Sequence, residues 1–381
     1  MAPLFLFLLA TFLVPIGAML WRAVGDAEIA PVFPRTLAAL ADWDGRAVPG
    51  EPAFAALAAD VRAARAAGTL AGAATRLNYD VNGYRSLLFA TARRLPPEGA
   101  PDIRSAILAA GPAWGERETW AALRRAAGPV TDLYLLAALD LRRDADGAIA
   151  GTHPDQAVFR TVLLRTLWIA LMVTLVCLAL GYPAAYLLAR LPERLANPML
   201  ILVLVPFWTS LLVRTTAWVV LLQREGVINA ALRGIGLIDA PLPMIYNRFA
   251  VYVAMVHILL PFMILPLYSV MRAIPAAHLR AAASLGATPF TVFRRVFLPQ
   301  TAAGVAAGSL LVFIQAIGYY VTPALVGGAE DQMISYFIAF YASRTINWGM
   351  AAALSVLLVA ATAALLLLYR RLAGGGIPRL G

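Results

Sequence analysis

Runs of apolar residues poor in charge recur along this chain at 3–20, 161–188, 199–222, 249–271, 301–325 and 350–368. A bilayer's hydrocarbon core is about 30 Å thick and a helix rises about 1.5 Å per residue, so each run is long enough to cross it. The pattern predicts six membrane-spanning helices. The second run is long and holds Gly181 and Pro183, which predicts tilt or a kink. The first lacks a basic residue ahead of it and carries Pro15 late in the run, so it reads as an uncleaved span rather than a signal peptide. The stub before it is so short that a start further upstream is left open.

Between the first two runs, residues 23–160 change character. Ala, Leu and Arg dominate 53–76 and 117–143, and Asp60, Val61, Ala64 and Arg65 fit a helix with one apolar face. Pro and Gly punctuate 95–101 and 111–115, and Asp44-Gly45 and Asp146-Gly147 read as turns. The stretch predicts a mostly helical, water-facing domain. Asp140, Asp144 and Asp146 hint at a calcium loop, but Arg142 and Arg143 break the ligand spacing.

Composition supports the membrane reading. Hydrophobic residues make up 61% of the 381 and charged ones 14%, against roughly half and a quarter in water-soluble domains. That balance excludes a soluble enzyme, and it excludes a disordered chain, which needs little apolar content and high charge. All 31 basic residues are Arg. Without Lys the chain holds neither a Walker A phosphate loop nor a Schiff-base amine. The net charge of +10 is uneven: 23–160 holds 15 Arg and 16 acids, and the rest holds 16 Arg and 5 acids. Positive charge beside apolar spans reads as topology rather than a nucleic-acid footprint. Loop 190–198, loop 272–299 and tail 369–381 carry +1, +4 and +3, while loops 223–248 and 326–347 carry +1 and −1. Both termini and loop 272–299 are therefore expected in the cytoplasm, with 23–160 outside. Arg22 and Arg165 run against this and read as snorkelling side chains.

Candidate chemistry is sparse. Cys177 is the only cysteine, so no internal disulfide forms, and His153, His257 and His278 make no ligand motif. No metal and no cofactor is implied. The acids outside 23–160 are Glu193, Glu225, Asp239, Glu330 and Asp331, all in loops, and only His257 titrates within a span. Proton-coupled transport wants such groups inside.

Loop 272–299 carries the most information. Residues 279–285 read as a small-residue helix, Gly286 as its left-handed stop, Pro289 as the first turn of a second helix, and Pro299 as the close. A basic helical hairpin on the cytoplasmic side is shaped to dock on another protein.

These residues resemble the permease subunits of ABC importers, whose motif is E-A-A-x3-G-x9-I-x-L-P. Ala281, Ala282, Gly286, Val296, Leu298 and Pro299 fall in register with it, and Arg280 replaces its Glu. That charge reversal implies a changed partner surface. The chain is further similar to spermidine/putrescine-type permeases at 181–190 (Gly-Tyr-Pro-Ala-Ala-Tyr-Leu-Leu-Ala-Arg), 205–218 (Val-Pro-Phe-Trp-Thr-Ser-Leu-Leu-Val-Arg-Thr-Thr-Ala-Trp), 226–229 (Gly-Val-Ile-Asn) and 318–328 (Gly-Tyr-Tyr-Val-Thr-Pro-Ala-Leu-Val-Gly-Gly). The resemblance covers about 161–372 and says little about 23–160.

The resemblance implies an all-α polytopic fold, the six-helix type I importer permease. A first helix at 1–22, an extracytoplasmic helical insertion at 23–160, a five-helix core at 161–372 and a cytoplasmic tail at 373–381 would compose it. It implies an inner-membrane transporter subunit, not an enzyme. Its partners would be ATP-hydrolysing subunits gripping loop 272–299, a second homologous permease, a periplasmic solute-binding protein and the lipid bilayer, with no nucleic acid. The implied substrate is a polyamine or a related amine or opine-like compound. Candidates to line the path are Trp208, Thr209 and Trp218 in the third span and Gln315, Tyr319, Tyr320 and Thr322 in the fifth. The same residue types also serve interface belts and helix packing. Arg214, toward its span's outer end, reads as snorkelling. Alternatives are a sensor or interaction protein acting through 23–160, a membrane enzyme, for which no catalytic cluster is visible, and an importer of an inorganic ion, phosphonate or sugar.

Overall fold

In the computed structural model, residues 2–98, 100 and 102–373 are described, so most of the expected tail, from 374 on, lies outside the described residues. The chain divides into two units, one of residues 1–160 with 345–357, the other of 161–344 with 358–381.

The first unit opens with the apolar stretch Pro3–Trp21, none of whose residues is buried. It carries a π-turn at Leu9–Leu13, just before Pro15. A proline has no N–H to return and its ring crowds the preceding turn, so the helix widens there. Beyond it, short helices surround an aromatic centre. Phe54 and Trp120 meet edge to face at 4.8 Å, Trp120 lies 5.1 Å from Trp114, and Trp114 lies 5.7 Å from Tyr84. Each buried polar tip has a partner. Trp114 Nε1 donates to Thr91 Oγ1 at 2.8 Å, Trp120 Nε1 to the Trp114 carbonyl at 2.8 Å, and the Tyr84 hydroxyl to the Thr119 carbonyl at 2.9 Å. Burial pushes the Tyr84 phenol well above its ordinary value; Asp80 adds to the rise and Arg125 opposes it. Asp60 on the expected helix face is buried and accepts from the Thr36 amide and hydroxyl at 2.7 and 2.8 Å. The Asp146-Gly147 turn, expected from sequence, joins two short antiparallel strands, Leu141–Arg143 and Ile149–Gly151, in an otherwise helical unit. Asp140 caps instead of ligating: its carboxylate accepts from the Phe159 and Arg160 amides.

The second unit is built on the helix Arg248–Ala273, the most buried of the long apolar helices. Small residues let its neighbours approach closely. A Cβ at Gly308 would lie 2.9 Å from Met263 Sδ, and one at Gly181 2.9 Å from Met263 Cγ. Phe159–Arg190 runs as one continuous helix through Gly181 and Pro183.

Two expected spans are not continuous. The third is split: Glu193–Leu204 passes into a tight turn at Val205–Trp208, extended backbone follows at Thr209 and Ser210, and Leu211–Leu222 resumes at a steep angle. The segments flanking this break differ in direction by 96°. Ser210 caps the new helix, its hydroxyl accepting from the Val213 amide. The fifth ends at Gly318, short of the expected 325, and after Tyr319 and Tyr320 a short helix Val321–Val326 begins. Among the described residues, four uninterrupted helices are long and apolar enough to cross a membrane, and six crossings result if each bent pair counts as one. A further apolar helix, Ile334–Ser343, occupies what reads in sequence as a loop.

Candidate functional site

The basic loop folds as helix, left-handed residue, helix. Ala276–Ser284 forms the first helix and Leu285 caps it. Gly286 has φ +83, a region costly for any residue bearing a Cβ. Thr288 caps the second helix, its hydroxyl accepting from the Thr291 amide, and Pro289 opens it. The second helix extends past its expected end. It passes through a π-turn at Phe293–Phe297, where the Leu298 N–H reaches the Phe293 carbonyl, and continues to Gln300. Pro299 lies one residue before the end of this arm, next to a 57° bend into Ala302–Gly318.

The hairpin has a free end and an anchored end. At the free end Leu285 is 89% and Phe290 69% exposed. Large apolar side chains left this bare flank the turn that a partner would cover. Arg280 is exposed, Ala281 is exposed and Ala282 half-buried, which leaves a shallow basic face. At the anchored end, Phe293 and Phe297 lie 5.6 and 5.2 Å from Tyr186, and Phe293 6.5 Å from Tyr182. The Arg190 guanidinium covers the Tyr186 ring at 4.2 Å. His278 Nδ1 and Gln300 Oε1, 3.0 Å apart, tie the two arms together. Tyr182 and Thr301 hydroxyls meet at 3.1 Å. A push on the hairpin thus reaches Phe159–Arg190 through packed rings rather than through a slack linker. Val296 is half-buried and Leu298 and Pro299 are exposed.

The expected path residues separate into groups. Trp208 is 87% exposed and, with Thr209, stands at the break in the third span. Irregular backbone at membrane depth is tolerated where it meets protein or lines a water-filled cavity. Trp218 donates from Nε1 to His257 Nδ1 at 3.2 Å. Tyr319 is half-buried at the end of its helix, and Tyr320 and Gln315 are exposed. Thr322 differs: it is fully buried and its hydroxyl meets that of Thr215 at 3.2 Å, which makes it a helix-to-helix tie. Asn229 of the 226–229 stretch is likewise structural, its amide clamping Leu242 through both N–H and C=O.

The structure gives Arg214, which reads in sequence as a snorkelling side chain, a more enclosed place. Arg214 is half-buried, and its Nε and Nη1 are shielded from solvent without a hydrogen-bond partner among the described residues. The i, i+4 spacing of Arg214 and Trp218 was the available sign that they share a face.

A helical membrane body with an anchored basic hairpin, and with no lysine for a phosphate loop, defines a class: a transporter subunit whose energy comes from another chain. Residues 166–375 match the family described as binding-protein-dependent transport system inner membrane component. The chain belongs to that family. It is 40% identical over 197 residues to the spermidine/putrescine transport system permease protein PotB of Salmonella typhimurium, covering 52% of this chain and 69% of that one. It is 34% identical over 236 residues to PotB of Haemophilus influenzae, covering 60% and 82%. It is also 31% identical over 243 residues to the molybdenum transport system permease protein ModB of Mycobacterium bovis, covering 63% and 89%. The chain is thus a multi-pass inner-membrane permease subunit of an ABC importer and not an enzyme. It works with a periplasmic binding protein and a separate ATP-hydrolysing subunit.

Proposed function

We propose that this subunit forms half of a translocation path for a small amine, a polyamine or a related amine or opine-like compound, and pairs with a second homologous permease. The names of its PotB relatives support the amine reading, and the ModB relative keeps an inorganic ion as the alternative. ATP-driven closure of the ATPase subunits moves the hairpin at 272–299, and the ring stack on Tyr186 carries that motion to the spans. Arg280, Ala281, Ala282 and Gly286 meet the ATPase, while Val296, Leu298 and Pro299 stiffen the arm behind them. Trp208, Thr209, Trp218, Gln315, Tyr319 and Tyr320 border the path. Thr322 is the weakest member of that set, since its hydroxyl is already engaged.

Both termini lie in the cytoplasm in this reading, and 23–160 lies outside, where it receives the binding protein. The excess of arginine in loop 272–299 supports that orientation. So does one cavity of the first unit, lined by Arg22 at the end of the first span and by Trp348 at the start of the last long helix. Two spans whose ends share a cavity on one face leave their far ends on the other.

The observation that carries the proposal is the hairpin, bare at Leu285 and Phe290 and packed at Phe293 and Phe297. The test is co-purification of the tagged chain with its ATPase from cells expressing the whole transporter. Gly286→Val, strained at φ +83 but facing open space, is expected to lose the ATPase while the chain still reaches the membrane. Retention of the ATPase would sink the docking role.

A further inference from the structure

The first unit holds a cavity of about 400 Å³ at the place where two apolar helices end. Pro3–Trp21 stops one residue short of Arg22 on its wall, and Trp348, also on the wall, starts the last long helix. Indoles favour the boundary between hydrocarbon and water. Trp21 is 61% exposed, and a Cβ at the wall residue Gly25 would lie 3.0 Å from its Nε1, so this indole folds against the cavity. Trp348 is exposed too. The cavity therefore opens at the level of lipid headgroups.

Its lining suits a group that carries both charges. Arg76 is 2% exposed and gives Nη2 to Asp26, while its Nε and Nη1 have no hydrogen-bond partner among the described residues. A guanidinium presents five donors in a fork that matches phosphate, and leaving buried donors unmet is costly. Arg76 lines the cavity, where Arg22 adds a second, exposed guanidinium and Glu28 an exposed carboxylate. With Asp26 counted, two arginines stand against two acids. A site so balanced complements a zwitterion better than a bare anion. Tyr79 and Tyr134 lie 6.3 Å apart, edge to face, on the same wall. Together with Trp348 they offer ring faces to an ammonium.

The rim is apolar and fixed. Ile346 is 68% exposed at φ +55, a strained conformation for a β-branched residue. The helix behind it is seated closely, since a Cβ on Gly349 would collide with the Tyr134 ring. A water-soluble solute gains little from the bare Ile346, whereas acyl chains do.

We propose that this cavity binds the headgroup of a zwitterionic phospholipid of the phosphoethanolamine type. The phosphate meets Arg22 and the unpaired nitrogens of Arg76. The ammonium meets Glu28 and the ring faces, and the acyl chains lie along Pro3–Trp21, where no residue is buried. The inference stands on the first unit and does not depend on the importer reading.

The test is native mass spectrometry of the assembled transporter in detergent. It is titrated with phosphatidylethanolamine or with phosphatidylglycerol, which keeps the phosphate and lacks the ammonium. The expected result is one saturable site per copy of this chain, about tenfold tighter for phosphatidylethanolamine, the scale of one charge-assisted contact. Arg22→Gln should weaken both lipids there by a similar factor, and Glu28→Gln should erase the difference between them. Gly72 is exposed on the wall, and a Cβ there meets nothing within 4 Å. Gly72→Phe should therefore block the site without disturbing the packing, and Gly72→Ala should spare it. Glycerophosphoethanolamine, the same head without tails, should compete poorly. Equal binding of the two lipids, or binding that survives both Gly72→Phe and Arg22→Gln, overturns the proposal. So does a tail-less head that competes as well as the lipid, which would mark a site for a soluble phosphate ester.

Discussion

The two units treat a buried arginine in opposite ways. In the first, Arg76 is almost wholly enclosed, and Asp26, enclosed with it, supplies the opposing charge. Tyr134 adds a ring face 5.4 Å from the guanidinium. In the second, Arg214 is half-buried, shielded at two nitrogens, and meets no carboxylate among the described residues. The first arrangement supplies a counter-ion, although Arg76 Nε and Nη1, like those of Arg214, are shielded without a hydrogen-bond partner. The two sites differ in whether a carboxylate meets the guanidinium among the described residues.

The sharpest way to break this contrast is to make Arg76 resemble Arg214. Asp26→Ala leaves a fully buried cation alone, and such half-removed pairs typically cost about 3–5 kcal/mol. Limited proteolysis within 23–160 should show the loss, with the membrane helices unaffected. The reverse change supplies Arg214 with a counter-ion from its own helix. Ala217→Glu, three residues on and exposed, is expected to raise the thermal midpoint by a few degrees. It should also lower uptake into proteoliposomes by about tenfold or more. Unchanged uptake would mean that Arg214 does not face the path.

Phe293→Ala addresses the anchored arm. A half-buried ring wedged against Tyr182 and Tyr186 is worth about 2 kcal/mol. Its loss should uncouple ATP hydrolysis from transport more than it lowers the hydrolysis rate. The smallest effect concerns pH. The Tyr84 phenol titrates well above its ordinary value because it is buried. Its raised pKa means the folded state holds that proton more tightly. The associated stability is therefore fully present below about pH 10, the unfolded value, and is lost as pH rises through the folded value. Tyr84→Phe should flatten part of the alkaline decline of the first unit, read by Trp fluorescence. A curve identical to wild type would remove Tyr84 as a contributor.

Much of this was readable from sequence, and the misses have physical causes. Hydropathy found the long helices because burying or solvating about 20 apolar residues admits few solutions. Gly286 and Pro289 announced the hairpin, because each is the natural residue for its backbone position. Hydropathy alone did not reveal the breaks at Val205–Ser210 and at Tyr319, since an apolar run stays apolar when it bends. Pro206 was the visible sign of the first break, and Tyr319-Tyr320 gave none for the second. Pro183 points the other way: the helix continues through it. The helix Ile334–Ser343 was missed because ten residues fall short of a crossing. Arg214 was read as snorkelling because sequence records a charge but not the absence of its partner in space.

The π-turn at Phe293–Phe297 has a consequence for how the two halves of that arm are aimed. An α-helix turns by about 100° per residue and advances about 1.5 Å, and a π-turn carries one residue more than the α-turn it replaces. The bare tip at Leu285 and Phe290 and the span that begins at Ala302 are therefore set to different rotational phases by a single inserted residue. Deleting one residue in that turn would scarcely shorten the arm, yet it would swing the tip through more than a quarter of a circle.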